Sequence, residues 1–80
     1  MKRALFSVRD ELTGYGDPFT LPDNDEVACR MFRSAVLAET PNKINQAKQD
    51  MVLFKLGYID DQSGEITPEK KQILRASEVK

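Results

Sequence analysis

Hydrophobic and polar residues alternate along two segments of the chain, and each alternation predicts a β-strand. In residues 2–9, the apolar side chains Ala4, Phe6 and Val8 alternate with mostly polar positions. This is the pattern of a strand with one buried face. In residues 51–60 both sets of alternating positions are largely apolar. That pattern is typical of a central strand or of a strand covered on both faces.

Residues 23–39 follow helical spacing instead. Asp23 can cap the helix, and Glu26 stands three residues later, as a capping box requires. Pro41 disfavours helical angles at Thr40 and predicts that the helix ends there. Apolar positions recur at intervals of three and four and predict one buried helix face, formed by Val27, Ala28, Met31, Phe32 and Ala35.

The segments between these elements contain the turn-forming residues. Residues 10–22 carry two glycines and two prolines and are predicted to form a loop. Residues 43–50 are predicted to be a polar loop with one helical turn. The acidic, glycine-closed turn at residues 60–64 suits a hairpin, from which residues 65–67 return as a short third strand. The tail, residues 68–80, can be either a peripheral helix or an extended segment.

Together these elements predict an α+β fold. It is a small β-α-β-β domain that spans residues 1–80, with one main helix packed on a three-stranded sheet. Because a helix joins the first two strands, they are expected to be parallel, with a right-handed crossover. So small a sheet has a thin core and open edges. We therefore expect a homodimer, formed by edge pairing or by packing of the second strand.

Composition indicates a globular protein without a general attraction to nucleic acid. Hydrophobic residues make up 40% of the chain and charged residues 31%, a mixture typical of folded proteins. The formal net charge is −1, so any binding to nucleic acid depends on a local basic patch. No apolar run approaches the ~20 residues of a membrane span, and we expect a cytoplasmic protein.

The residue types present give little support to a catalytic or metal site. The chain has no histidine and one cysteine, Cys29, so nucleophile–imidazole pairs and the common zinc sites cannot be assembled. Residues 60–65 lack the ligand spacing of a calcium loop, and the acidic start of the predicted helix would repel a phosphate. We expect no enzyme activity, no cofactor and no metal, and we expect Cys29 to be a half-buried apolar side chain.

Nucleic-acid binding is the site hypothesis that remains. Five cations are candidates for phosphate contacts: Arg3, Arg9, Arg30, Arg33 and Lys55. The first two share the polar face of the first strand. Two aromatic side chains are candidates for base stacking, Tyr15 and Tyr58. The alternative for each cation is an ordinary solvated side chain, since the chain is slightly acidic overall. Three phenylalanines are expected in the core, Phe6, Phe32 and Phe54.

Three segments carry a family resemblance. They are the first strand with Asp10, Tyr15 and Pro18-Phe19, the helix segment Ala28–Phe32, and the strand Asp50–Asp60 followed by Ser63-Gly64. In order and spacing they resemble the small non-structural protein of gokushovirus-type microviruses, including the phages of Chlamydia. The resemblance covers residues 3–66. It implies a protein of the infected bacterial cytoplasm that is described as DNA-binding, and it supplies no catalytic residues.

The resemblance also implies a role in the switch from double-stranded genome replication to single-strand synthesis and packaging. The expected function is therefore that of a phage accessory protein that binds DNA, preferably single-stranded, as a homodimer. The alternative is a protein-interaction module. Such a module would bind the phage replication initiator, a capsid precursor or a host factor through an exposed sheet edge.

Overall fold

A computed structural model describes residues 1–79 and contains an antiparallel sheet with one main helix. The elements are β1 (Lys2–Asp10), β2 (Gly14–Tyr15), β3 (Phe19–Pro22), α1 (Asp25–Leu37), α2 (Lys43–Gln46), β4 (Met51–Asp60) and β5 (Ile66–Arg75), with a 3₁₀ turn at Ala76–Glu78. β4 lies between β1 and β5, and β2 and β3 both pair with the other edge of β1. The α+β class is confirmed, and the four predicted elements correspond to β1, α1, β4 and β5.

β1 and β4 pair antiparallel, so the prediction of a parallel pair is wrong. That prediction treated α1 as a direct crossover between the two strands. Instead β3 runs back along β1, with Pro22 opposite Arg3, and the chain enters α1 from the end where β1 began. The chain then returns to the other end of β1, where Met51 pairs with Asp10. The direction of β4 thus depends on β2 and β3, which lie in the segment predicted to be a loop.

β5 is ten residues long, although the sequence predicted only three strand residues there. The tail is extended as far as Arg75, and no helix begins at Pro68. Pro68 is tolerated because β5 is an edge strand, where the missing backbone N–H can face solvent. It pairs with Gly57, whose φ of 148° and close approach to Thr67 leave no room for a Cβ atom. Lys80 lies outside the described residues.

The N-terminus of α1 is capped by Asn24, so the predicted capping box at Asp23 is wrong. The Asn24 side chain accepts a hydrogen bond from the backbone N–H of Glu26 at 3.0 Å. Asp23 instead lies beside Lys55 on β4. The helix ends at Leu37, before Pro41 could affect it.

The buried side of α1 is narrower than predicted. Its buried side chains form one row at intervals of four, Ala28, Phe32 and Val36. Val27 and Met31 were predicted on the buried face, but both are exposed. Each precedes a member of that row by one position, which is about 100° around the helix. The outer side of α1 therefore carries apolar side chains in contact with solvent.

The core lies between α1 and one face of the sheet. It includes Ala4 and Phe6 from β1 and Met51 and Leu53 from β4. α2, which forms the predicted helical turn, packs against its side. Because side chains alternate between the two faces of a strand, a second set lies on the face away from α1. We call this the open face, and it carries Arg3, Leu5, Ser7 and Arg9 of β1 with Val52 and Phe54 of β4.

Candidate nucleic-acid interface

Three side chains on the open face lie against one another. The guanidinium carbon of Arg9 is 5.6 Å from the ring centre of Tyr15. The Tyr15 ring is 5.6 Å from the ring of Phe54, at an angle of 76°. Both are favourable geometries, a cation–π contact and an edge-to-face aromatic pair. Tyr15 stays 43% exposed, so this Arg9–Tyr15–Phe54 cluster is accessible from solvent.

Ser7 makes room for this cluster. It lies on β1, between β2, which carries Tyr15, and β4, which carries Phe54. Its small side chain is fully buried, so the Tyr15 ring can reach across β1 to Phe54. The Ser7 hydroxyl also donates a hydrogen bond to the carbonyl oxygen of Gly16 at 2.9 Å. This bond ties the loop that carries Tyr15 to the sheet.

Arg3 lies at the opposite end of the open face from Arg9. Six residues of strand separate the two, which is about 20 Å. The Nε atom of Arg3 donates a hydrogen bond to the hydroxyl oxygen of Thr20 at 3.3 Å, which orients the guanidinium along the sheet. The prediction that Arg3 and Arg9 share one face is confirmed, and the two cations flank a largely apolar strip.

Two residues of the open face were not identified from the sequence. Phe54 was expected in the core, but it is half-buried and contacts Tyr15 on the other side of the sheet. Arg75 lies on the same row as Arg9 and Val52 in the strand register, and it is ion-paired with Glu11. Arg75 could have been found only by predicting the full length of β5, since a ten-residue strand brings its last residue beside β4.

Lys55 is buried between the sheet and α1, away from the open face. Its side chain is 8% exposed, and its Nζ atom is 2.7 Å from Asp25 and 3.4 Å from Asp23. Burial by itself lowers the pKa of Lys55, but hydrogen bonds to Asp25, Tyr58 and Asp23 outweigh it and hold the pKa above its ordinary value. The structure thus places Lys55 in an internal ion pair where the sequence predicted a phosphate contact.

The remaining predicted residues also lie away from the open face. Tyr58 packs against the core, with its hydroxyl 3.4 Å from the Nζ atom of Lys55. Arg30 and Arg33 are exposed on α1, on the opposite side of the sheet from Arg9. A single interface made of all seven predicted residues is therefore not what the structure contains. It brings Arg9 and Tyr15 into contact, adds Phe54 to them, and leaves Arg3 at the far end of the same face.

A groove of about 590 Å³ lies between the Gly14–Asp17 loop and α2. Its apolar lining comes from Val8, Ile44, Ala47 and Met51, and its rim includes two carboxylates, Asp10 and Asp17, and one ammonium group, Lys43. The two acids disfavour an anionic ligand there. The groove therefore does not extend the basic surface of the open face.

A comparison with protein families identifies the chain. The model of the phage ORF5 protein family matches residues 3–79. The chain belongs to this family. No curated protein and no solved structure matches it. It is thus a phage protein.

Three other features bear on the function of this phage protein. Cys29 is half-buried on α1, as predicted, and burial raises the pKa of its thiol, which lowers its reactivity. Within residues 1–79, no group of three or more acidic or cysteine side chains is arranged to hold a metal ion. Across the same residues, no helix is long and apolar enough to span a membrane.

Proposed function

We propose that this phage protein binds single-stranded DNA on its open face. The observation that carries the proposal is the Arg9–Tyr15–Phe54 cluster. Aromatic rings on a sheet surface offer stacking platforms for bases, each worth about 1–3 kcal/mol. Arginine beside them supplies a charge-assisted hydrogen bond to a phosphate. Arg3 at the far end of the same face supplies a second phosphate contact.

The apolar strip between Arg3 and Arg9 favours a single strand over a duplex. Leu5 and Phe54, which are each half-buried, lie on the open face between the two cations. A duplex presents phosphates to a flat surface and keeps its bases stacked inside, so these side chains would have no partner. An unpaired strand can turn its bases onto them. The net charge of −1 keeps non-specific attraction to duplex DNA weak.

Family membership supports a phage protein, and the finer setting that we propose follows from the sequence resemblance. We place the protein in the cytoplasm of the infected bacterium, as a homodimer. There it would act at the switch from double-stranded replication of a microvirus genome to single-strand synthesis and packaging. A protein that coats or recruits single strands needs binding residues at this step and no catalytic group.

A titration by fluorescence anisotropy tests the proposal. The probes are a labelled oligothymidine and a duplex hairpin of the same length, each measured over a series of salt concentrations. We expect the oligothymidine to bind more tightly than the hairpin. A plot of log K against log salt should have a slope of about −0.7 for each phosphate that the protein neutralises. Arg9→Ala should reduce both the affinity and this slope. Arg33→Ala removes an arginine from the other side of the protein and serves as the matched control.

Three outcomes would overturn the proposal. The first is no binding of oligothymidine at ~50 mM salt, where phosphate contacts are strong. The second is equal affinity for the hairpin. The third is an Arg33→Ala effect as large as that of Arg9→Ala, because the two side chains cannot contact one strand lying on the open face.

The alternative function, a protein-interaction module, has a candidate surface in the outer edge of β5. Residues 66–72 are exposed, and within residues 1–79 no strand pairs with that edge. However, Pro68, Lys70 and Lys71 lie along it, and proline and lysine are the residues that protect edges from strand addition. A pull-down from nuclease-treated infected lysate tests this function. A partner retained by the wild type and lost with Gln72→Pro would favour it over DNA binding.

A further inference from the structure

The outer side of α1 exposes three apolar side chains that nothing in the described chain covers. Val27, Met31 and Leu37 are 37%, 51% and 55% exposed. The same side also carries two small residues, Ser34 and, just past the helix end, Ala38. Val27, Met31, Ser34 and Ala38 follow the spacing of four, three and four residues. This is the spacing of the contact positions in paired helices.

Charge is distributed unevenly along the same side. Arg30 is exposed near the middle of α1, and Glu39 is exposed just after its end. Among residues 1–79, neither side chain takes part in an ion pair within the chain. The last turn of α1 contains no basic residue of its own, and a cation from another chain is favoured beside its terminal carbonyls.

We propose that α1 pairs antiparallel with α1 of a second copy of this chain, with the two-fold axis near Ser34. Residues at equal distances on either side of Ser34 then meet across the axis. Met31 lies over the Leu37–Ala38 end of the second copy, and the small Ser34 lets the two helices approach closely. Arg30 lies beside Glu39 and the helix end of the second copy. The surface is thus complementary to itself in both shape and charge, as a two-fold interface requires.

The size of this surface sets the strength of the pair. α1 has thirteen residues and is about 20 Å long, so one helix pair buries less area than a standard stable interface. The dimer is therefore a weak one that forms in the micromolar range. Arginine and methionine are enriched at protein interfaces, and this composition fits a protein surface better than a DNA surface.

The pairing arranges the two copies in four layers: sheet, helix, helix, sheet. Each open face then points outward, away from the other copy. This inference does not depend on the proposed DNA binding, since no residue of the open face takes part in it. If both hold, one dimer carries two binding faces and can bridge two strands or two segments of one strand.

Sedimentation velocity of the full chain, from about 1 µM to 1 mM, tests the pairing. We expect a monomer–dimer equilibrium in the wild type. Met31→Lys should weaken the dimer by about tenfold or more, because it buries an unpaired charge in the interface. Leu12→Lys, at an exposed apolar residue in the turn between β1 and β2, is the matched control and should leave the equilibrium unchanged. Far-ultraviolet circular dichroism checks that both variants remain folded.

A charge exchange tests the antiparallel arrangement itself. Arg30→Glu and Glu39→Arg should each weaken the dimer, and the double variant should restore it, since it re-forms both pairs with reversed sign. A monomeric wild type over the whole range, a dimer insensitive to Met31→Lys, or a double variant no stronger than the singles would overturn the proposal. Binding of an oligothymidine too short to reach two open faces is measured in parallel, and Met31→Lys should match the wild type, so failure of either proposal is seen separately.

Discussion

The Nζ atom of Lys55 lies 2.7 Å from Oδ1 of Asp25, and this contact joins the middle of β4 to the first turn of α1. Lys55→Met keeps most of the side-chain volume but leaves Asp25 without its nearest cation. We expect a loss of about 1–3 kcal/mol in the free energy of unfolding. The expected loss is smaller than that for breaking a fully buried ion pair, because the Asp25 side chain is partly exposed. Urea denaturation followed by circular dichroism measures the loss.

Lys71 provides the matched control for this substitution. Its Nζ atom also approaches Asp25, at 3.6 Å, but its side chain is exposed. Lys71→Met should change the free energy of unfolding by no more than ~0.5 kcal/mol, as for other surface ion pairs. Equal losses for the two variants would show that burial of Lys55 adds nothing to the pair.

The raised pKa of Lys55 predicts a dependence of stability on alkaline pH. A group whose pKa is higher in the folded state stabilises that state fully below its unfolded value. This contribution is lost as the pH rises from there through the folded value. The free energy of unfolding of the wild type should therefore fall above the ordinary lysine pKa of 10.5. Lys55→Met should show a smaller fall, and parallel curves for the two proteins would rule out Lys55 as the cause.

Gly57 is required because the backbone of β5 lies directly against it. A Cβ atom there would lie 2.1 Å from the carbonyl oxygen of Thr67, in a backbone conformation with φ of 148°. Gly57→Ala should therefore cost about 3 kcal/mol or more and displace β5. Gly64→Ala is the control, since Gly64 has a positive φ of 77° but open space around it. It should cost only ~1–2 kcal/mol, and thermal denaturation would compare the two.

Asn24 and Asp23 can be distinguished as caps by substitution. Asn24→Ala removes the acceptor of the Glu26 N–H bond and should cost about 1 kcal/mol. Asp23→Ala removes only the weaker 3.4 Å contact with Lys55 and should cost less. Chemical denaturation of both variants measures the two losses and shows which residue caps α1. A larger loss for Asp23→Ala would favour the capping box that the sequence pattern predicted.

Phe54 should matter for DNA binding although it carries no polar group. Phe54→Leu keeps an apolar side chain on β4 but removes the aromatic face. It should weaken oligothymidine binding by about 1–3 kcal/mol, the range for loss of one stacking contact. Ile66→Leu, at an exposed apolar residue of β5, should leave the affinity unchanged. Unaltered affinity of Phe54→Leu would remove Phe54 from the proposed interface.

Local patterns predicted the elements that alternate or repeat clearly. β4 begins at Met51 and ends at Asp60, as the alternation indicates, and β1 differs by one residue at its end. The direction of β4 could not be predicted in the same way. It depends on pairing between β3 and β1, and β3 has only four residues and ends at Pro22, so its alternation is too short to be distinguished from a loop.

The candidate site was predicted only where alternation separates the two faces of a strand. β1 has one apolar face, so Arg3 and Arg9 could be placed together. On β4 both sets of positions are apolar, and alternation cannot show which set faces α1. Phe54 was therefore assigned to the core and Lys55 to the surface, which is the reverse of their positions. A lysine is buried there because the Asp25 carboxylate, which α1 brings over the sheet, pairs with it, together with Asp23 and the Tyr58 hydroxyl.

The central position of β4 also governs when the sheet can form during synthesis. Each residue of β1 pairs with a residue about fifty positions later in the chain, and contacts so distant in sequence slow folding. While the ribosome is still making residues 51–60, β1 has only β2 and β3 beside it, and its other edge has no partner strand. The β4–β5 hairpin is local and can form as soon as it emerges. The N-terminal strand therefore waits longest for its main partner, and newly made chains are exposed to misassociation through β1 until β4 arrives.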